Sequence, residues 1–186
     1  MNLLIILYLS IVASLVWGRL RFFSVDPGMP RLTALGYDLA VITQMAVTFY
    51  YMANVTQITK MEITAGALAY ALALFLFWWS IRTARSLDFA FSSKVGAIVT
   101  TGPFGWVRHP FYTSYILVWL TSSLLFRSPI LWITLIYLVT FYFLSARREE
   151  RIILESDQGK SYRLYQNKVG MFLPRIKSWK RSHSKP

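Results

Sequence analysis

Five apolar runs dominate the sequence: about Asn2 to Gly18, Ala34 to Val55, Ile63 to Ile81, Val107 to Phe126 and Ile130 to Ala146. Each approaches the roughly 20 residues that a helix needs to cross about 30 Å of hydrocarbon. In lipid the backbone must satisfy its own hydrogen bonds, so runs of this length predict an all-α integral membrane fold of about five transmembrane helices. The first run lacks a basic segment before it and is followed by Arg19 and Arg21, the reverse of a cleaved leader, so it reads as a retained anchor.

Composition agrees, with 55% hydrophobic and 17% aromatic residues and a positive mean hydropathy. The net charge of +12 does not point to nucleic acid, because Lys and Arg cluster at the ends of apolar runs and from Arg147 onward. A membrane surface fits that distribution better. There is no cysteine and there are two histidines, one of them in the polar tail. Thiolate chemistry is thereby excluded, and no metal site is expected.

Orientation follows from the positive charges of alternate loops. A cytosolic C-terminus and an external N-terminus place Arg19, Arg21, Arg31, Arg82, Arg85, Lys94, Arg108 and the eleven basic residues from Arg147 onward inside, leaving Lys60 and Arg127 outside. A bacterial inner membrane or the endoplasmic reticulum would suit such a chain. Only Arg127, Ser128 and Pro129 separate the last two runs, so these form a tight hairpin whose inner ends lie together. Ala65, Ala69 and Ala73, one turn apart, predict close helix packing in the third run. The whole chain, 1–186, reads as one membrane domain: three spans over 1–83, a core over 84–174 and a basic tail over 175–186.

Three polar stretches face the inner side. In Thr101-Gly102-Pro103-Phe104-Gly105-Trp106-Val107-Arg108-His109-Pro110-Phe111-Tyr112, glycines permit close approach and a proline suits a helix start. Arg108 also suits a positive anchor, and His109 an interfacial polar residue. The segment from Arg147 to Glu155 reads as an amphipathic helix leaving the membrane. Its Glu149 and Glu150 lie near the bilayer boundary, where acidic residues are paired or functional; pairing within the helix suits Glu149 and Glu155. The hairpin brings Glu150 opposite His109 and Tyr112, which makes a pocket at the membrane edge. The segment from Gly159 to Pro174 places Tyr162, Tyr165 and Val169 at helical spacing, as in a short helix covering that pocket.

Together these motifs resemble the isoprenylcysteine carboxyl methyltransferase and phospholipid methyltransferase family of membrane enzymes. The resemblance runs from about Lys94 to Pro174: Gly102-Pro103-Phe104, then Arg108-His109-Pro110-Phe111-Tyr112, the hairpin, Glu149-Glu150 with Leu154, Gly159, Tyr162 with Tyr165, and Pro174. It implies S-adenosylmethionine as cofactor, bound without a Rossmann sheet at the inner ends of the last two spans. By that likeness His109 and Tyr112, with Pro110 and Phe111 in the same turn, would hold the methionine portion, and Glu150 would pair with its ammonium. Gly96, Ala97, Ile98, Val99 and Phe104 would enclose the adenosine. The acceptor would enter from the bilayer and meet the cofactor near Glu150 and Arg147, the pair implied to act in catalysis.

Two positions depart from the family pattern. Phe104 stands where an aromatic hydroxyl is common, and Ala146 stands where prenylcysteine enzymes carry an arginine for the substrate carboxylate. The acceptor therefore stays open among a prenylcysteine-like carboxylate, a phospholipid amine and a small thiol, all lipophilic or lipidated partners within a lipid membrane. A sterol-type membrane reductase, which uses a similar Arg-His-Pro-x-Tyr region with NADPH, is the enzymatic alternative; such sequences carry Asn where Phe111 stands. A non-catalytic scaffold or transporter would place ionisable residues at mid-membrane, where only Asp38, near an inner end, comes close.

Overall fold

The computed structural model describes residues 2–21, 31–54, 58–85 and 98–175. Among them are six α-helices: α1 Asn2–Arg21, α2 Arg31–Asn54, α3 Lys60–Arg85, α4 Pro110–Phe126, α5 Pro129–Glu155 and α6 Gly159–Lys168, with a 3-10 turn Gly102–Gly105 before α4. Helices α2, α3 and α5 are long and apolar enough to cross a membrane, while the apolar parts of α1 and α4, Asn2–Gly18 and Pro110–Phe126, are shorter. Helix α3 is central, packing against α1 and α4, and α5 packs against α2 and α4.

Two boundaries differ from those expected on sequence. The fourth span was expected from Val107, yet α4 begins at Pro110. Proline suits the first helical position and disfavours helical geometry in the residue before it. His109 accordingly has φ −123° and ψ 68°. Residues 107–109 instead pair with 170–171: Val107 bridges Gly170, and the amides of Arg108 and His109 donate to the carbonyls of Gly170 and Met171 at 2.8 and 3.1 Å. Helix α5, by contrast, continues without a break from the apolar run into the amphipathic segment. No glycine or proline interrupts it after Pro129, so one rigid rod carries Glu149 and Glu150 out of the core.

The expected alanine stripe on α3 is only partly the packing face. Ala73 is buried, Ala69 is half-buried and Ala65 is exposed. The face that meets α1 and α4 runs through Tyr70, Ala73, Phe77 and Ile81. Uncharged polar groups tie the interior together. Tyr70 and Ser122 share a hydrogen bond of 2.8 Å, and the fully buried Gln44 of α2 donates to the Trp119 carbonyl at 3.2 Å and accepts from the Thr134 hydroxyl. Such bonds join helices where lipid gives no hydrophobic drive for association.

The bundle has two distinct ends. At one, Arg127 takes a left-handed conformation (φ 51°) in the α4–α5 turn and its guanidinium meets Glu62 at 2.5 Å. Glu62 also completes a capping box with Thr59 at the start of α3. At the other end lie the 3-10 turn, the start of α4, the end of α5 and α6, with nearly all the remaining polar machinery.

Candidate active site

Glu150 is the hub of this second end. Its side chain is 7% exposed and that of Arg108 11%, so the pair is removed from water. Arg108 Nε donates to Oε1 at 2.7 Å and Nη2 to Oε2 at 3.2 Å. His109 Nε2 meets Oε1 at 3.0 Å, and Gln166 Nε2 donates to Oε2 at 2.8 Å. A carboxylate offers about four acceptor directions. All four are met by protein groups from the segment before α4 and from α6.

Arg108 also reaches the chain after α6, donating from Nη1 to the Val169 carbonyl at 2.6 Å. It thus joins three segments at once: its own, α5 through Glu150, and the turn at 169. That turn is sterically demanding, since a Cβ on Gly170 would stand 1.9 Å from the Leu173 carbonyl oxygen. A residue without a Cβ is what lets the chain fold back this tightly between 170 and 175.

Glu149, one residue earlier, behaves differently. Its side chain is 50% exposed and lies 3.5 Å from His109 Nδ1, and it accepts from the Tyr112 hydroxyl. The His109 ring stacks on Tyr112, with centroids 5.7 Å apart, and meets the edge of Phe172 at 6.1 Å. Tyr112 in turn stacks on Tyr142 at 5.2 Å. The result is an aromatic floor beneath an accessible carboxylate.

His109 has a carboxylate beside each ring nitrogen. Burial opposes its protonation, but hydrogen bonds to Glu149 and Glu150 and their negative charges outweigh that, so its pKa is raised. A raised folded-state pKa contributes stability that is fully present below the unfolded value of about 6.5 and is lost as pH rises through the folded value. The thermal midpoint in detergent should therefore fall as pH is raised from about 6.5 upward, and His109→Gln should remove this part of the fall. A pH-independent wild-type midpoint would contradict a protonated ring.

The residues singled out on sequence fall into four groups. His109 meets Glu150 as expected, whereas Tyr112 bonds to the neighbouring Glu149, and Pro110 is buried at the start of α4. Val99 and Phe104 are buried, Ile98 packs on the Tyr162–Tyr165–Val169 cluster, and the Tyr165 hydroxyl donates to the Phe104 carbonyl at 2.5 Å. Phe111 joins Phe104 to Phe77 through edge contacts of 6.3 and 5.9 Å. Arg147 stands apart on the exposed side of α5, its guanidinium 5.7 Å above the Phe143 ring; Ala146 is fully buried. Gly96 and Ala97 lie outside the described residues.

Sequence reasoning missed Gln166 and the central part played by Arg108. Arg108 carried a signal, a cation directly preceding His-Pro, whereas Gln166 carried none. The accessible member of the acidic pair is Glu149 rather than Glu150.

Residues 61–156, a little over half of the chain, match the family model described as phospholipid methyltransferase. The matched region holds α3 from its second residue, the 3-10 turn, Arg108, His109 and both glutamates, and ends one residue past α5. No match was found among curated proteins. With membrane-length apolar helices and this match, the chain belongs to the phospholipid methyltransferase family of membrane methyltransferases.

Proposed function

We propose that this protein is an S-adenosylmethionine-dependent methyltransferase acting on a lipophilic acceptor at the cytosolic membrane face, with a phospholipid amine the favoured acceptor class. Five spans, an external N-terminus and a cytosolic C-terminus complete the reading, supported by the placement of Lys and Arg. The observation that carries it is the accessible Glu149 carboxylate beside His109 and Tyr112, within the matched region and at one end of the bundle.

The residues present fit the cofactor's charges. It carries an ammonium and a sulfonium, and a half-exposed carboxylate on an aromatic floor suits cations. When bound, it supplies an already activated methyl group. The protein's own tasks are then binding, alignment and exclusion of water, and alignment can contribute roughly 7–11 kcal/mol. Glu149 holds positive charge, while His109 and Tyr112 fix the Glu149 rotamer. Glu150 keeps Arg108, His109 and α6 in register. Arg147, exposed at the end of the apolar run, faces anionic headgroups. An amine acceptor must lose a proton, and the half-exposed Glu149 carboxylate is the group placed to receive it, since the His109 ring already carries its proton between two carboxylates. The buried Ala146 leaves no cation at the position that recognises a carboxylate in prenylcysteine enzymes, which favours an amine.

Incubating the purified protein with methyl-labelled S-adenosylmethionine and phosphatidylethanolamine vesicles, followed by mass spectrometry of the lipid, tests the reading. N-methylated lipid is the expected product. Label in no lipid, with cofactor bound, would overturn the acceptor class.

A further inference from the structure

A second feature lies on the flank formed by α1 and α3. A lateral groove of about 830 Å³ is walled by Leu7 of α1 and, on α3, by a stripe through Ala71, Leu74, Phe75, Trp78, Trp79 and Arg82. These α3 positions recur every three or four residues, so they share one helical face. That face is distinct from the one through Tyr70, Ala73 and Phe77, which is buried in the core. The groove is closed at one end by Thr101 and Gly102 of the 3-10 turn. Gly102 has φ +56°, and a Cβ there would meet the Thr83 hydroxyl oxygen at 2.8 Å, so glycine lets the turn press onto α3.

The groove has a polarity along its length that matches one leaflet. Its deeper part is hydrocarbon, with Phe75 60% exposed toward lipid. Tryptophans mark the next level: Trp17 lies against Trp78 with ring centroids 5.2 Å apart, and Trp79 meets Trp106 at 6.4 Å. Clustered tryptophans locate the membrane–water boundary. Arg82, exposed, lies about 5 Å further along the axis, one helical turn past Trp78 and Trp79, at headgroup depth.

We propose that this groove holds one anionic phospholipid, with an acyl chain along Leu7, Ala71, Leu74 and Phe75 and its phosphate against Arg82. The apolar wall, the aromatic level and the cation succeed one another in the order of a lipid's chain, glycerol region and phosphate. The site is separate from the Glu149–Glu150 centre and does not depend on methyl transfer. Because Gly102 closes the groove and belongs to the turn that leads to Arg108 and His109, a seated lipid braces that turn.

Native mass spectrometry of the delipidated full chain in detergent, titrated with palmitoyl-oleoyl phosphatidylglycerol or with diacylglycerol of the same chains, tests this. One phosphatidylglycerol should bind ahead of all others, and diacylglycerol should bind far more weakly. Arg82→Gln should weaken the first site by about fivefold, the effect of one cation near a lipid surface. Ala71→Trp, which fills the groove from an exposed position, should abolish it. Equal binding of diacylglycerol would overturn the phosphate contact. Wild-type binding by both variants, or adducts accumulating with no distinct first site, would overturn the groove as the site.

Discussion

Replacing Arg108 with alanine should lower the unfolding free energy by about 3–5 kcal/mol, the cost of leaving one member of a buried ion pair without its partner. Glu150 would keep its charge at 7% side-chain exposure while losing two of its four donors. The Val169 carbonyl would lose its bond as well. The change should therefore loosen α6 and the 107–109/170–171 pairing together, since Arg108 joins both to α5. Because the damage comes mainly from the stranded carboxylate, Arg108→Ala/Glu150→Ala should cost clearly less than the two single changes added. Denaturant unfolding in mixed micelles measures both. A loss below about 1 kcal/mol for Arg108→Ala, as for a surface pair, would show that the Arg108–Glu150 pair does not hold the site.

Glu149→Gln should separate binding from stability. The amide keeps a carbonyl for the Tyr112 hydroxyl and adds nothing to the core, so the thermal midpoint should fall only by the share that this half-exposed carboxylate gives to the His109 charge, far less than for Arg108→Ala. Affinity for S-adenosylmethionine should fall about 10- to 100-fold, the loss of one hydrogen bond to a charged partner. Glu150→Gln should behave in the opposite way. An amide there turns its own NH₂ toward donors from Arg108 and either His109 or Gln166, so instability should precede any binding defect. Retained affinity in Glu149→Gln, measured by titration at fixed detergent, would remove that carboxylate from the binding surface.

Much of this arrangement was legible in the chain. Helix hydrophobicity marked the membrane-length runs, and three residues between the last two of them required a hairpin. The hairpin alone brought His109, Tyr112 and Glu150 to one end. What stayed hidden depended on contacts between distant segments. The start of α4 at Pro110 rather than Val107 follows from pairing with Gly170 and Met171, some sixty residues away, and no local periodicity reports that.

The division of labour between the two glutamates was equally out of reach. Helical position separates them by about 100°, but which of them faces inward depends on how α5 rotates against α4. Saturation of Glu150 becomes visible only when donors from Arg108, His109 and Gln166 are counted together. Gln44 is a similar case. In sequence it is one amide in an apolar run; in the fold it links α2 to α4 and α5.

Equilibrium binding of radiolabelled S-adenosylmethionine to the purified protein in detergent, with NADPH as the competing ligand, tests the site assignment most directly. One S-adenosylmethionine per chain, undisturbed by NADPH and weakened by Glu149→Gln, is the expected result. Displacement by NADPH, or no bound S-adenosylmethionine in a folded sample, would contradict it.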